Sequence, residues 1–375
     1  MSVGRLVVPA IRWRADTGFG HQAAAIDANL EAGVGGFIIF GGPAPEVAAL
    51  VAGIRRAAGR PLVFGADLER GAGQQFAGLR EIPPPAALAS LDDLAVVRAA
   101  GLTTGLDAAS VGVDWVFAPV ADLDSEPDNP IVQTRSFGAD PDAVGRAVAA
   151  WTAGAKAAGV LSCAKHFPGH GDTSVDSHLE LPIVEHPPDR IRRVECVPFI
   201  EAIRQGVAFI MTAHMLVPSI DDQYPATLSR RIVHDLLRDE LDFDGVILSD
   251  DLEMKALASD YSVADAAVRA IQAGCDGVLV CRHLSGEPHN DINVQGSVLE
   301  ALIHAVEDGT IRARSGEAPS ASSSFTSRFI DARTFEHQVL EMAAHFRAHA
   351  QPVVEQRLAR LTALGLGVTH ASRQA

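Results

Sequence analysis

Aromatic residues are scarce in this chain. They make up 5% of its 375 residues, with two tyrosines and three tryptophans, and no series of them is spaced for stacking on bases. No Lys/Arg tract accompanies them. Phosphate backbones are bound through clustered cations, so a formal charge of −16 argues against a nucleic-acid partner. The amino terminus has no basic segment leading into an apolar stretch, and no hydrophobic run reaches the length of a membrane span. The expectation is a cytoplasmic protein with no membrane span. The four cysteines, Cys163, Cys196, Cys275 and Cys281, sit in apolar surroundings without CxxC spacing, which reads as buried thiols in a reducing compartment.

Apolar surface is ample. Hydrophobic residues make up 47% of the chain and charged ones 21%, ordinary values for a folded domain with a sizeable core. Eight short aliphatic or β-branched runs recur: Arg5 to Ala10, Gly36 to Phe40, Pro61 to Ala66, Asp114 to Ala121, Val160 to Lys165, Ala208 to Ala213, Gly245 to Ser249 and Asp276 to Cys281. Stretches with apolar residues at helical spacing separate them, such as Asp140 to Ala158, Asp189 to Gln205 and Val263 to Ala273. Continuous apolar strands alternating with helices imply a parallel sheet covered on its outer face, and eight such units close most naturally as a single α/β (β/α)8 TIM-type barrel. The expected organisation is one domain over 1–375, with the barrel at about 1–311, an irregular loop at about 312–334, and helices at about 335–366 packed on the barrel. No second α/β sandwich domain is expected in the remaining length.

Polar residues gather where the strands end: Asp67, Asp122, Lys165 and His166, His214, Asp250 and Asp251, Arg282 and His283. Barrel enzymes build their sites from these C-terminal strand ends. The plain alternative is that any strand must end in a polar loop, which accounts for some of these positions singly.

The densest stretch runs from Lys165 to His178, KHFPGHGDTSVDSH. It is too polar for a core and too glycine-rich for a helix. A metal site would use its His and Asp residues, but the spacing matches neither HExxH nor another compact zinc pattern. A phosphate cradle on Gly169 and Gly171 lacks the rest of a phosphate-binding motif. The third reading is a general acid/base dyad in which Asp176 orients His178 and favours its protonated form, so that it donates a proton near neutrality. Such a dyad needs a second carboxylate. Leu248 to Met254, LSDDLEM, supplies two after an apolar strand, Asp250 or Asp251, with a helix cap as the competing role. Together the segments make a candidate glycosidase site.

KHFPGHGDTSVDSHLELP, from Lys165 to Pro182, and LSDDLEM resemble the β-N-acetylglucosaminidases of glycoside hydrolase family 3. The likeness extends from roughly Gly36 to Cys281. It implies a retaining exo-β-N-acetylglucosaminidase acting by double displacement, with Asp250 as nucleophile and His178 with Asp176 as acid/base. It also implies that Asp67, Gln75, Arg135, Lys165 and His166 contact the sugar. Relatives that lack this dyad take their acid from a second domain, for which this chain is expected to be too short. No metal or organic cofactor is required, and the expected partner is a small carbohydrate. The resemblance suggests peptidoglycan recycling as the setting.

One departure stands out. Relatives read DxEGGxVxR after the Asp67 position; here the segment is Asp67-Leu68-Glu69-Arg70-Gly71-Ala72-Gly73-Gln74-Gln75, with Gln75 where an arginine is expected. Arg70 either compensates or forms a surface salt bridge. A histidine is neutral after giving up its proton and does not repel phosphate, so a glycoside phosphorylase on the same residues is the leading rival. A non-catalytic sugar-binding barrel is the other.

Overall fold

The computed structural model describes residues 3–173, 177, 180–281, 291–313 and 329–330. Eight parallel strands close into a barrel in chain order: β1 (Val7–Arg12), β2 (Gly36–Phe40), β3 (Val63–Ala66), β4 (Trp115–Val116), β5 (Leu161–Phe167), β6 (Phe209–Thr212), β7 (Val246–Asp251) and β8 (Gly277–Val280). The seam pairs Val7 with Val278 and Pro9 with Val280. All eight strands overlap the eight apolar runs, and the barrel is the single α/β fold that those runs imply.

Closure divides the apolar residues by parity, because successive side chains of a strand point to opposite faces. One cluster, including Val8, Ile38, Trp115, Leu161, Phe209 and Leu248, fills the barrel. A larger one, including Val7, Ile39, Phe64, Ile210 and Ile247, packs beneath the surrounding helices. Both faces of each strand are buried, which is why the strands read as continuous apolar runs.

Local signals fix the helices. Asp140 Oδ1 accepts from Ala143 N at 2.8 Å to cap Pro141–Ala157, whose proline sits where a missing N–H costs nothing. Ser262 Oγ does the same for Asp265 N at 3.0 Å ahead of Val263–Ala273. The Asp189 to Gln205 stretch is helical but broken in type, with a π segment at Ile191–Glu195 before Val197–Gln205. Beyond the barrel, Arg312–Ala313 pairs in parallel with Phe329–Ile330. The expected helices at about 335–366 lie outside the described residues, as does most of the expected 312–334 loop. Among the described residues, no helix is long and apolar enough to cross a membrane.

Two carboxylates at the opposite end of the barrel from the site are structural. Asp114 accepts from Arg55 Nη2 at 2.6 Å and Phe64 N at 2.9 Å, and Asp276 accepts from Arg238 Nη2 at 2.6 Å and Ile247 N at 2.8 Å. Each ties a strand to its neighbour and to a covering helix.

Inside the barrel, the Trp115 ring lies 4.5 Å from that of Phe209 and fills the space left by Gly65. A Cβ added at Gly65 would lie 2.3 Å from the Trp115 indole nitrogen. Gly65→Ala is expected to lower stability by about 1–3 kcal/mol through overpacking. Urea unfolding of G65A, W115F and the double variant tests this. Coupling between the two changes is the expected result, and simple additivity would contradict the contact.

Candidate active site

Strand parity sets which residues reach the mouth of the barrel. Val246 and Leu248 fill the interior from β7, so Asp250 is next on that face. Leu161 and Cys163 on β5 lead likewise to Lys165, Val63 on β3 leads to Asp67, and Val8 on β1 leads to Arg12. All four line one cavity of about 480 Å³ at the C-terminal strand ends, joined by His166, Arg135, Gln75 and Glu69.

Its centre is a buried ion network. Lys165 Nζ donates to Asp67 Oδ1 at 2.5 Å and lies 2.8 Å from Glu69 Oε1. Arg135 grips the same Glu69 with both prongs, Nε to Oε2 at 2.8 Å and Nη2 to Oε1 at 2.7 Å. Burial opposes ionisation of Glu69, but the Lys165 and Arg135 charges outweigh it and hold the carboxyl far below its usual range. Burial likewise works against the charge on Lys165, and Asp67 with Glu69 reverses that effect and raises its pKa. Glu69 was not among the expected site residues. Its signal was available: it follows Asp67 by two and so continues the inward parity of β3.

A second centre is Asp122, fully buried after β4. Its Oδ2 accepts from His166 Nδ1 at 2.6 Å, and its Oδ1 accepts from His166 N at 3.1 Å and His170 N at 2.7 Å. Burial opposes its charge, yet the two histidines and their hydrogen bonds bring its pKa below the usual value. Asn129, also fully buried, donates to the carbonyls of His170 at 3.0 Å and Gly171 at 2.9 Å, joining the loops after β4 and β5. Gly171 must be glycine at this crossing, since a Cβ there would sit 1.7 Å from Leu123 O.

Asp250 and Asp251 differ sharply. Burial would raise the Asp250 pKa, but His166, His214, the Asp251 N–H at 2.7 Å and Lys165 together bring it down to about 2. For Asp251 burial prevails, and its pKa is pushed up to about 7 although Cys281 N donates to it at 2.9 Å. His214 Nε2 donates to the Asp251 carbonyl at 2.9 Å.

Asp67, Gln75, Arg135, Lys165, His166 and Asp250 are thus brought to one cavity. Asp176 and His178 lie outside the described residues. Ser177, between them in sequence, lines the cavity, and its carbonyl accepts from Ala256 N at 3.2 Å. Gln75 Oε1 accepts from Gly41 N at 3.1 Å, so the residue standing for the expected arginine spends its acceptor on the loop after β2. Arg70 lines the cavity too, and among the described residues its guanidinium has no carboxylate partner.

Among the described residues, two clusters hold three metal-ligand types within 4.8 Å: Asp172, His186 and Glu195, and His234, Asp235 and Asp239. In the first, Arg190 already supplies a cation to Asp172 at 2.9 Å and to Glu195 at 3.3 Å. The second lies largely exposed on one helix.

Residues 19–317 match the family described as the glycosyl hydrolase family 3 N terminal domain. The chain belongs to glycosyl hydrolase family 3. Relatives named β-hexosaminidase include one from Thiobacillus denitrificans, 39% identical over 67% of this chain and 72% of its own length. Another, from Tolumonas auensis, is 37% identical over 68% of this chain and 77% of its own. Among solved structures, a family 3 β-N-acetylglucosaminidase from Paenibacillus sp. superposes with a TM-score of 0.76 at 32% identity, over 93% of this chain and 62% of that one.

Two outcomes follow from the electrostatics. Glu69→Gln leaves Lys165 and Arg135 short of a counter-charge in a buried site and is expected to cost about 3–5 kcal/mol, measured by chemical unfolding. The second concerns pH. The Asp251 pKa is raised from 3.8 in the unfolded chain to about 7 on folding, so the native state holds the extra proton between those values. Its contribution to stability is complete below pH 3.8 and is lost as pH rises through about 7. Asp251→Asn should therefore gain stability over the parent at pH 8 but not at pH 4. Thermal melts at both values decide it, and an equal effect at each would remove Asp251 as the cause.

Proposed function

We propose that the chain is a retaining exo-β-N-acetylglucosaminidase that releases terminal β-linked N-acetylglucosamine by double displacement. The observation that carries this reading is Asp250: a carboxylate in the cavity with its pKa lowered to about 2, on the same rim as a charged network suited to sugar hydroxyls. An attacking carboxylate must be ionised and within reach of the substrate, and Asp250 is ionised and lines the cavity. Family membership and relatives named β-hexosaminidase support the N-acetyl sugar.

In this mechanism Asp67, Lys165, His166 and Arg135 hold the sugar, with Gln75 at the edge. Their positions are fixed before substrate arrives, because Glu69 and Asp122 already orient the cations and the imidazole. Asp250 attacks the anomeric carbon while protonated His178, oriented by Asp176, gives its proton to the departing oxygen. The product of this step is a covalent glycosyl-enzyme. Neutral His178 then takes a proton from water, which displaces Asp250 and restores the β-anomer. Ser177, between the two in sequence, lines the cavity, which supports assigning the dyad to this site. Cytoplasmic peptidoglycan recycling is the setting we assign.

A panel of aryl β-glycosides tests the substrate. Turnover of N-acetylglucosaminides with the β-anomer as first product is expected, and turnover of glucosides alone would overturn the reading. Asp250→Asn should lower kcat by roughly 10³-fold or more. His178→Ala should reduce kcat/KM by roughly 10²–10⁴-fold for poor leaving groups and far less for 2,4-dinitrophenyl glycosides. Equal losses across leaving groups would remove His178 from the acid role.

A further inference from the structure

One ion cluster takes no part in the chemistry proposed above and lies outside the cavity. Asp172 Oδ2 accepts from His186 Nε2 and, at 2.9 Å, from Arg190 Nη2. Arg190 Nε donates in turn to Glu195 Oε1 at 3.3 Å. Glu195 is 2% exposed, and its other oxygen meets no hydrogen-bond donor among the described residues. Arg190 is therefore the cation that two carboxylates share. A guanidinium with one prong on each leaves a metal ion no place unless the arginine is displaced. None of the four residues lines the cavity.

Their order along the chain shows what the cluster joins. Asp172 leaves the barrel wall directly after Gly171, whose carbonyl, like that of His170, is held by Asn129. His186 lies 14 positions further on and Arg190 18. The side chains thus tie together the two ends of the segment that carries Asp176 and His178, as in compact loops whose ends meet. The far end is fastened to the loop after β6: Val184 N donates to Leu216 O at 2.9 Å, Leu216 N to Pro182 O at 2.8 Å, and Ser219 Oγ to the His186 carbonyl. Glu195 seats the cluster on the barrel, because a Cβ added at Gly169 would lie 3.0 Å from the Glu195 Cβ. Between the two ends, Ser177 lines the cavity.

We propose that Asp172, His186 and Arg190 are positioning residues that act through His178: they close its segment at the base and so fix where the acid/base group stands relative to the glycosidic oxygen. None of them touches the sugar. This rests on the acid/base role proposed above for His178. A general acid works only within hydrogen-bond reach of the atom it protonates, so a displacement of about 1 Å at the base of its segment costs proton transfer heavily. Asp250 comes from β7, outside that segment, and its attack is spared.

The test reads leaving-group dependence in the full chain with two substrates, the 2,4-dinitrophenyl and 4-methoxyphenyl N-acetyl-β-glucosaminides. D172N, R190Q and H186A should lose roughly 10- to 10²-fold in kcat/KM on the methoxyphenyl compound and under about 3-fold on the dinitrophenyl one. R190K, which keeps the charge but not the fork, should fall between the parent and R190Q. Adding any of these changes to His178→Ala should cost nothing further, because the group they place is gone. A merely structural role would lower both substrates alike. H186A, at a partly exposed side chain, carries the test if D172N or R190Q does not fold. Equal losses on the two substrates, no loss on either, or a further loss in the His178→Ala background would overturn the proposal. So would activity that EDTA removes and Zn2+ restores in the parent but not in D172N, since the cluster would then be a metal centre. Equal losses on both substrates in His178→Ala itself would instead strike the acid role assigned to His178, and the positioning claim with it.

Discussion

Closing eight parallel strands into a barrel forces every second residue of each strand toward a shared axis, and the rest of this molecule follows from how that space is filled. The interior is occupied by packed apolar groups, with Trp115 and Phe209 in contact and Gly65 making room for them. A charge there would be stripped of water with no partner, at a cost of many kcal/mol. Inward positions can turn polar only at the last layer, where the strands meet solvent. Arg12, Asp67, Lys165 and Asp250 all occupy that layer. The site is thus the point at which the barrel's alternation runs out of apolar residues.

Polar groups concentrated at one rim create a second constraint, since each is largely buried and most are charged. The structure meets it by sharing. One carboxylate, Glu69, serves both Lys165 and Arg135, and one carboxylate, Asp122, serves the side chain of His166 and the backbone of both His166 and His170. Sharing gives Lys165, Arg135 and His166 each a carboxylate partner and one orientation, so these groups need little reorganisation when a sugar enters. It also explains why Asp122 and Glu69 are as buried as core residues while lying at the polar end of the barrel.

How much of this could be read from the sequence depends on the range of the interactions. The eight runs, the barrel and the polar strand ends are local patterns, and they were legible. Asp122 was legible as a strand end and Glu69 by parity, but their partners were not, because they are distant: 66 residues separate Glu69 from Arg135, and 44 separate Asp122 from His166. No spacing rule reaches that far. Strand limits also shifted where chemistry intervened. The Asp114 to Ala121 run keeps only Trp115–Val116 as a strand, and Pro119 within it has no N–H to offer a ladder. The choice between Asp250 and Asp251, open on residue type alone, was decidable by parity, since Val246 and Leu248 point inward and Asp250 continues their face.

That choice has an electrostatic side which parity does not supply. Two adjacent carboxylates, Asp250 half-buried and Asp251 buried, cannot both be ionised cheaply, and the structure divides the burden unequally. Asp250 faces His166, His214 and Lys165 and stays charged down to about pH 2. Asp251 turns toward backbone N–H groups where the β7/β8 register shifts, and it retains its proton up to about pH 7. A proton on Asp251 removes the like charge nearest to Asp250, so the carboxylate that lines the cavity keeps its full negative charge. The acid that faces inward by parity is therefore also the one whose surroundings keep it ionised, as the attack proposed for it requires.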